Sequence, residues 1–239
     1  MRFSRFILLI VVGLAFVAGM GVHKAIISRG ISWRDVFGVS DPAAKVRDAI
    51  RSRQTSAQYV AVRDFFAEFP SAADVVMFGD SQIAFADWHL LLDIDAANRG
   101  IYGETTAGAL LRVGSIIAGH PKCVATMLGT GDFAAGRSVE STSRDYLLIL
   151  DRLAAAGSAV IVQSTLLTEP PYAFNQKVRE LNTELRAACR SGSKCFFLDL
   201  DRIITPGSTI DGVHLKPNTY IKWAEELKPT IVSQCTTKH

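Results

Sequence analysis

The sequence predicts a three-layer α/β/α sandwich built on a five-stranded parallel sheet. Short apolar runs at Val75–Phe78, Val124–Leu128, Ala159–Val162 and Phe196–Leu200, with a mixed stretch at Ala96–Ile101, alternate with segments of helical spacing. The connections between them have crossover length, which parallel strands require and hairpins do not. The first run ends in Gly79-Asp80-Ser81. That places a small nucleophile at the carboxyl edge of a strand, where ligands sit in open α/β sheets.

Composition sets the bounds. Of 239 residues, 49% are hydrophobic and 21% charged. With the first two dozen set aside, the remainder suits one domain with a full core. A net charge of +3 with no Lys/Arg block leaves no electrostatic footprint for nucleic acid. The mildly basic segment from Lys24 to Arg53 reads as a solvated face.

In chain order, Arg2 and Arg5 precede an uncharged run from Phe6 to Val22. As a helix that run spans roughly 25 Å, the short end of what crosses a bilayer. Charge followed by an apolar run fits a secretory signal or a signal anchor, positive side inward. Val17-Ala18-Gly19 is the best small-residue cleavage site, and it is a poor one, which favours an uncleaved anchor. The expected organisation is an anchor or signal at 1–22, a juxtamembrane linker and helix at 23–70, and the α/β domain at 71–235. The domain then lies outside the cytoplasm, held to the membrane by the N-terminal helix, or is secreted if the signal is cleaved.

Asp41-Pro42 is a helix start, and helical pattern continues to Phe69, where Pro70 stops it. After the Ser81 strand come a short helix at Ala86–Leu92, the second strand and turn at Ala96–Ile101, and a helix at Ala107–Ala118. The third strand runs into a loop, Gly129-Thr130-Gly131-Asp132. An amphipathic helix covers Ser143–Ala156, with Tyr146, Leu147, Leu150 and Leu153 inward, closed by Gly157. Beyond the fourth strand, Thr165–Tyr172 is a loop with Pro170-Pro171, and Asn175–Cys189 is helical. The fifth strand leads into a loop at 201–218 and a last helix at Thr219–Val232.

The four cysteines suit an oxidising compartment. Cys189 and Cys195 flank a turn that a disulfide could close, which leaves Cys123 and Cys235 over. Four buried free thiols is the competing arrangement. No C-x-x-C pair exists, so zinc and redox motifs are not indicated.

A serine hydroxyl needs a base to act as a nucleophile. The loop after strand five supplies Asp211-Gly212-Val213-His214. An aspartate three residues before a histidine can orient the ring in a tight turn, leaving the other ring nitrogen for the serine proton. The other four histidines do not compete: His23 and His239 sit near the termini, and His89 and His120 lack a carboxylate at that offset in an equivalent loop.

These blocks resemble the SGNH hydrolases, also called the GDSL lipase/esterase family, over about Asp74 to Val232. Val75–Ser81 resembles the first block, with Ser81 in the nucleophile position and Gln82 where the family has Leu. Asn98-Arg99-Gly100-Ile101-Tyr102-Gly103-Glu104-Thr105-Thr106 resembles the second, placing Gly103 on the oxyanion-hole glycine. Asp211-Gly212-Val213-His214 matches the last, with Asp211 and His214 in the triad positions. The resemblance implies a flavodoxin-like fold and an oxyanion hole built from the Ser81 and Gly103 N–H groups. The third block departs: the family's Gly-x-Asn-Asp is Gly129-Thr130-Gly131-Asp132 here, so the asparagine amide is missing at Gly131. Losing one such donor typically costs about 10²–10³ in rate. A water, the Gly131 backbone or a substrate group are the candidate replacements.

The function this implies is a serine esterase acting on an acyl or acetyl ester, carbohydrate or lipid, with no metal or organic cofactor. The absence of a long apolar loop for an acyl chain tips the expectation towards carbohydrate. Transfer of the acyl group to another acceptor would use the same residues. The alternative is a glycan- or partner-binding domain of the same fold, weak or inactive because Gly131 replaces the asparagine. Asp80 is expected to cap the helix after Ser81, Asp132 to brace its loop, and Glu104 to cap the helix that follows. Trp88, Tyr102 and Phe133 are candidates for either pocket or core. Glu169-Pro170-Pro171-Tyr172 sits where such enzymes shape substrate access.

Overall fold

The computed structural model describes residues 54–190 and 195–235. The expected anchor at 1–22 and most of the 23–70 linker lie outside these residues. Among the described residues, no helix is long and apolar enough to cross a membrane.

The chain enters through α1 (Ala57–Glu68), capped by the Ser56 hydroxyl, which accepts the Tyr59 N–H. It continues into β1 (Val75–Gly79), α2 (Ser81–Ala84) and α3 (Trp88–Leu92), then β2 (Ala96–Gly100) and α4 (Thr106–Ile117). Next come β3 (Cys123–Met127), α5 (Thr130–Ala134), α6 (Val139–Ala155) and β4 (Ala159–Gln163). The end is α7 (Asn175–Ala188), β5 (Cys195–Leu198), a 3₁₀ turn at Asp201–Ile203 and α8 (Pro217–Cys235). The five strands are all parallel, in the order β2-β1-β3-β4-β5. In that order the direction in which strands are added reverses between β1 and β3, the switch point where such sheets bind ligands. Gly79 ends β1 there, paired with Gly100 on one side and Met127 on the other.

Alternation along the strands feeds two cores. Val75 and Met77 face α3 and α8, packing with Trp88, Leu92 and Trp223. Val76 and Phe78 face α4, α6 and α7, packing with Val113, Tyr146 and Leu181. Helices cover both faces, so β1 and β3 are buried at every position and read as continuous rather than alternating apolar runs. Trp88 and Phe133 belong to this core. Polar atoms carried inside are mostly matched: Trp223 Nε1 donates to Gln163 Oε1 at 2.6 Å, and Trp88 Nε1 to the Ile83 carbonyl at 2.8 Å.

All four cysteines are paired, Cys189 with Cys195 and Cys123 with Cys235. The second bond ties the start of β3 to the last residue of α8 and displaces the free-thiol alternative.

The strand count and the parallel arrangement agree with the sequence reading, while several helix ends differ. α6 starts at Val139, ahead of the expected Ser143, because its first turn is polar and carries no periodicity. The start is marked instead by the Ser138 hydroxyl accepting the Ser141 N–H. α8 begins on Pro217, which suits a first helical position. α5, read from sequence as a loop, is a single helical turn too short for periodicity to reveal.

Candidate active site

Ser81 opens α2 directly after β1. Its turn requires glycine at Gly79, where a Cβ would lie 2.3 Å from the Met127 carbonyl and 2.5 Å from Ile83 Cγ1. Asp80 caps the helix as expected, its Oδ1 accepting the Gln82 N–H at 3.0 Å. The Tyr220 hydroxyl of α8 donates to the Gln82 carbonyl at 3.0 Å and holds the same turn from the other side.

The 210–214 turn brings up the base. Asp211 Oδ1 accepts the N–H groups of Val213 and His214, a local turn in which the carboxylate organises the backbone after it. Ile210 N–H closes the turn on the His214 carbonyl at 2.7 Å. Asp211 Oδ2 lies 2.7 Å from His214 Nδ1, and His214 Nε2 lies 3.1 Å from Ser81 Oγ. Burial pushes the Asp211 carboxyl up. Hydrogen bonds from the His214 ring and from the two N–H groups outweigh this and hold it below the ordinary carboxylate range. Tyr102 stacks on the His214 ring and Phe85 packs against it at a tilt, with centroids 5.6 and 5.1 Å away.

Glu169, in the loop expected to shape substrate access, also braces the site. Its carboxylate accepts the N–H groups of Gly207 and Thr209 and the Thr209 hydroxyl, and its own N–H donates to the Gly212 carbonyl. It anchors the turn that carries Asp211 and His214. Gly212 is needed there: its φ is +93°, and a Cβ would meet the Glu169 and Pro170 carbonyls at 2.7 and 2.8 Å.

Gly103 sits at φ +79° in the loop after β2. Among the described residues, no carbonyl takes up the N–H of Gly103 or of Ser81. The next residue departs from expectation. Thr105, not Glu104, caps α4 through the Gly108 N–H. Glu104 is fully buried, 2.5 Å from Arg112 Nε, and accepts the Tyr59 hydroxyl of α1 at 2.9 Å. Arg112 also donates to the Arg99 and Gly79 carbonyls, tying the Gly103 loop to the ends of β1 and β2.

The space beside Gly131 is filled by backbone. A Cβ there would lie 2.0 Å from the Glu104 carbonyl oxygen. The second-block loop has settled against the glycine, so the position has no room for an asparagine. The Gly131 N–H lies near enough to Asp80 to oppose the rise of its carboxyl, although Asp80 Oδ2 has no aligned hydrogen-bond donor among the described residues.

Two buried acids lie behind the serine. Burial pushes Asp80 up to about 7, and the charges of Asp132 and Glu104 add to this against the opposing Gln82 and Gly131 N–H groups. Burial likewise raises Asp132 to about 6, opposed by Thr106, whose N–H and hydroxyl both donate to it, and by Arg137. Arg137 Nε is 3.0 Å from Asp132 but not aligned as a hydrogen bond. Asp132 therefore braces the start of α4, on a neighbouring segment, where the sequence reading has it brace its own loop.

Residues 77–220, more than half of the chain, match the GDSL-like lipase/acylhydrolase family. The chain belongs to this family. This GDSL protein is an ester-bond hydrolase. It is similar to a GDSL-like lipase from Bacteroides thetaiotaomicron at 22% identity, covering 74% of this chain and 98% of that one, with a TM-score of 0.62. It is also similar to a carbohydrate esterase family 3 protein from Talaromyces cellulolyticus at 20% identity, covering 69% and 99%, with a TM-score of 0.60. These likenesses bear on the fold. No curated protein matches the sequence.

Sequence reasoning brought Ser81, His214, Asp211 and Gly103 of the GDSL hydrolase to one edge; the structure joins Ser81, His214 and Asp211 by hydrogen bonds, and Tyr102, the residue before Gly103, stacks on His214. It missed Glu104, Arg112, Tyr59 and Glu169 as supports. Arg112 was findable, since a lone arginine at an inward position of an apolar helix needs a buried acid. Tyr59 lies ahead of the family match and carried no signal.

Proposed function

We propose that this GDSL hydrolase is an extracytoplasmic serine esterase in which Ser81 is the nucleophile, His214 the general base and Asp211 the orienting carboxylate. The observation that carries the reading is the continuous relay, 2.7 Å from Asp211 to His214 and 3.1 Å from His214 to Ser81. Both distances are within reach for proton transfer.

His214 takes the Ser81 proton as Oγ attacks the ester carbonyl. The oxyanion that forms faces the Ser81 and Gly103 N–H groups. His214 then passes the proton to the departing alkoxide, and an acyl-enzyme remains. Water, deprotonated by His214, attacks the acyl carbon, and Ser81 leaves with the proton restored. Asp211 stays ionised throughout and stabilises the imidazolium, in keeping with its depressed titration. With two oxyanion donors rather than three, the enzyme is a modest catalyst, not an inert one: enzymic accelerations of about 10⁶ and above exceed the loss of about 10²–10³.

The location outside the cytoplasm is supported by Arg2 and Arg5 ahead of the apolar run to Val22, and by two disulfides of a kind that persist in oxidising compartments. Anchored there, the enzyme meets acyl or acetyl esters of envelope carbohydrate or lipid. The test is turnover of p-nitrophenyl acetate by wild-type and Ser81→Ala protein. The substitution removes turnover; full retention would discard the mechanism.

A further inference from the structure

Four large apolar side chains stand exposed around the catalytic histidine: Phe85, Leu90, Ile210 and Ile221. Leu90 is 75% and Ile210 71% exposed. All four line one cavity of about 610 Å³, between α3 on one side and the His214 turn and start of α8 on the other. That volume is in the range of about 300–1,000 Å³ typical of small-molecule sites.

The cavity offers an occupant almost nothing polar. No Lys or Arg lines it. Asp87 accepts the Leu90 N–H, and the Tyr220 hydroxyl donates to Gln82. Asp211 and His214 are engaged with each other and with Ser81. The carboxylates disfavour phosphate or carboxylate, and the mainly apolar lining offers a sugar's several hydroxyls few partners. An apolar chain or ring fits.

The position of the cavity says which part of the ester that is. His214 and Asp211 line it; Ser81, Gly103 and Gly131 do not. It opens on the base's side of the nucleophile, away from the oxyanion donors. The leaving oxygen must face His214 Nε2 to receive its proton. We propose that the cavity receives the alcohol portion of the substrate, and that this alcohol is apolar. The proposal rests on the Ser81–His214 mechanism above for its assignment to alcohol rather than acyl group.

Two ester series on the full-length protein test it. In n-alkyl acetates from ethyl to octyl, kcat/KM rises about fourfold per methylene until the cavity is filled, the equivalent of about 0.8 kcal/mol each. In ethyl alkanoates from acetate to octanoate it stays flat. Leu90→Ser and Ile210→Ser flatten the first series. Leu111→Ser, 88% exposed on α4 and outside the cavity, does not. A rise along the alkanoates with flat acetates would overturn the assignment, and two flat series would remove the cavity from substrate binding.

Calorimetry with 1-octanol and Ser81→Ala protein separates this proposal from the esterase reading, because it needs no turnover. Saturable octanol binding, absent for sorbitol and lost in Leu90→Ser, supports the cavity even if no ester is cleaved. Absence of octanol binding overturns it even if esters are.

Discussion

Returning the family's asparagine to position 131 should harm this enzyme. In a vacant seat, Gly131→Asn would add the third oxyanion donor and raise kcat/KM by up to about 10²–10³. Here a Cβ alone falls 2.0 Å from the Glu104 oxygen and 3.1 Å from the Glu104 carbonyl carbon. Both are backbone atoms in a loop fixed by the Glu104–Arg112 pair and the Tyr59 hydroxyl. Accommodation means moving the residue next to Gly103, the remaining loop donor. Overpacking of this kind costs about 1–3 kcal/mol, and each kcal/mol lowers Tm by about 2–4 °C in a domain of this size. The assay is thermal unfolding together with kcat/KM on p-nitrophenyl acetate for Gly131→Ala and Gly131→Asn. Both variants should melt lower and turn over more slowly, the alanine showing that sterics alone suffice. A tenfold gain for the asparagine at unchanged Tm would refute the reasoning, because it would show that the loop yields freely.

Three further outcomes follow from the same geometry. Asp211→Asn lowers kcat/KM by about 10²- to 10⁴-fold; in the wild type, Asp211 stays ionised through the acid limb, so the pH profile of kcat/KM there shows a single ionisation, that of the base. Asp80→Asn keeps the acceptor for the Gln82 N–H and removes a buried charge. The Asp80 carboxyl titrates near 7 when folded against 3.8 ordinarily, so the folded state binds the extra proton between those values. Wild-type stability therefore falls as pH rises from about 4 through about 7. The variant should show a flatter dependence and gain on the order of 2–4 kcal/mol above pH 7, read from denaturant unfolding at pH 5 and 8. Gln82→Leu restores the family's letter at a fully buried position whose amide has no hydrogen-bond partner among the described residues. It should stabilise the fold by about 1–3 kcal/mol, visible as a Tm several degrees higher.

The sheet was legible because both of its faces are covered. Val75–Phe78 and Val124–Leu128 have no polar side to show, so they stand out as runs, and helical spacing between them dictates the parallel arrangement. The nucleophile, base and carboxylate were legible because each must sit at a strand end or in a tight turn, and Gly79, Gly103 and Gly212 mark those places. The supports were not legible, since a partner across space leaves no local trace: Glu104 read as a helix cap until Arg112 and Tyr59 were seen beside it. The cavity was hidden for a related reason. No single apolar loop forms it; Phe85 and Leu90 lie more than a hundred residues from Ile210 and Ile221, and only packing of α3 beside α8 joins them. The missing asparagine was visible in sequence. What replaced it was a backbone carbonyl, which no residue letter can reveal.

The central claim is that Ser81 is a nucleophile activated by His214. Its most direct measurement is reaction of the folded protein with a fluorophosphonate, followed by peptide mass mapping. One adduct, on Ser81, forming in the wild type and suppressed in His214→Ala, is the predicted result. A folded wild-type protein that stays unlabelled, or carries its adduct on another residue, contradicts the claim.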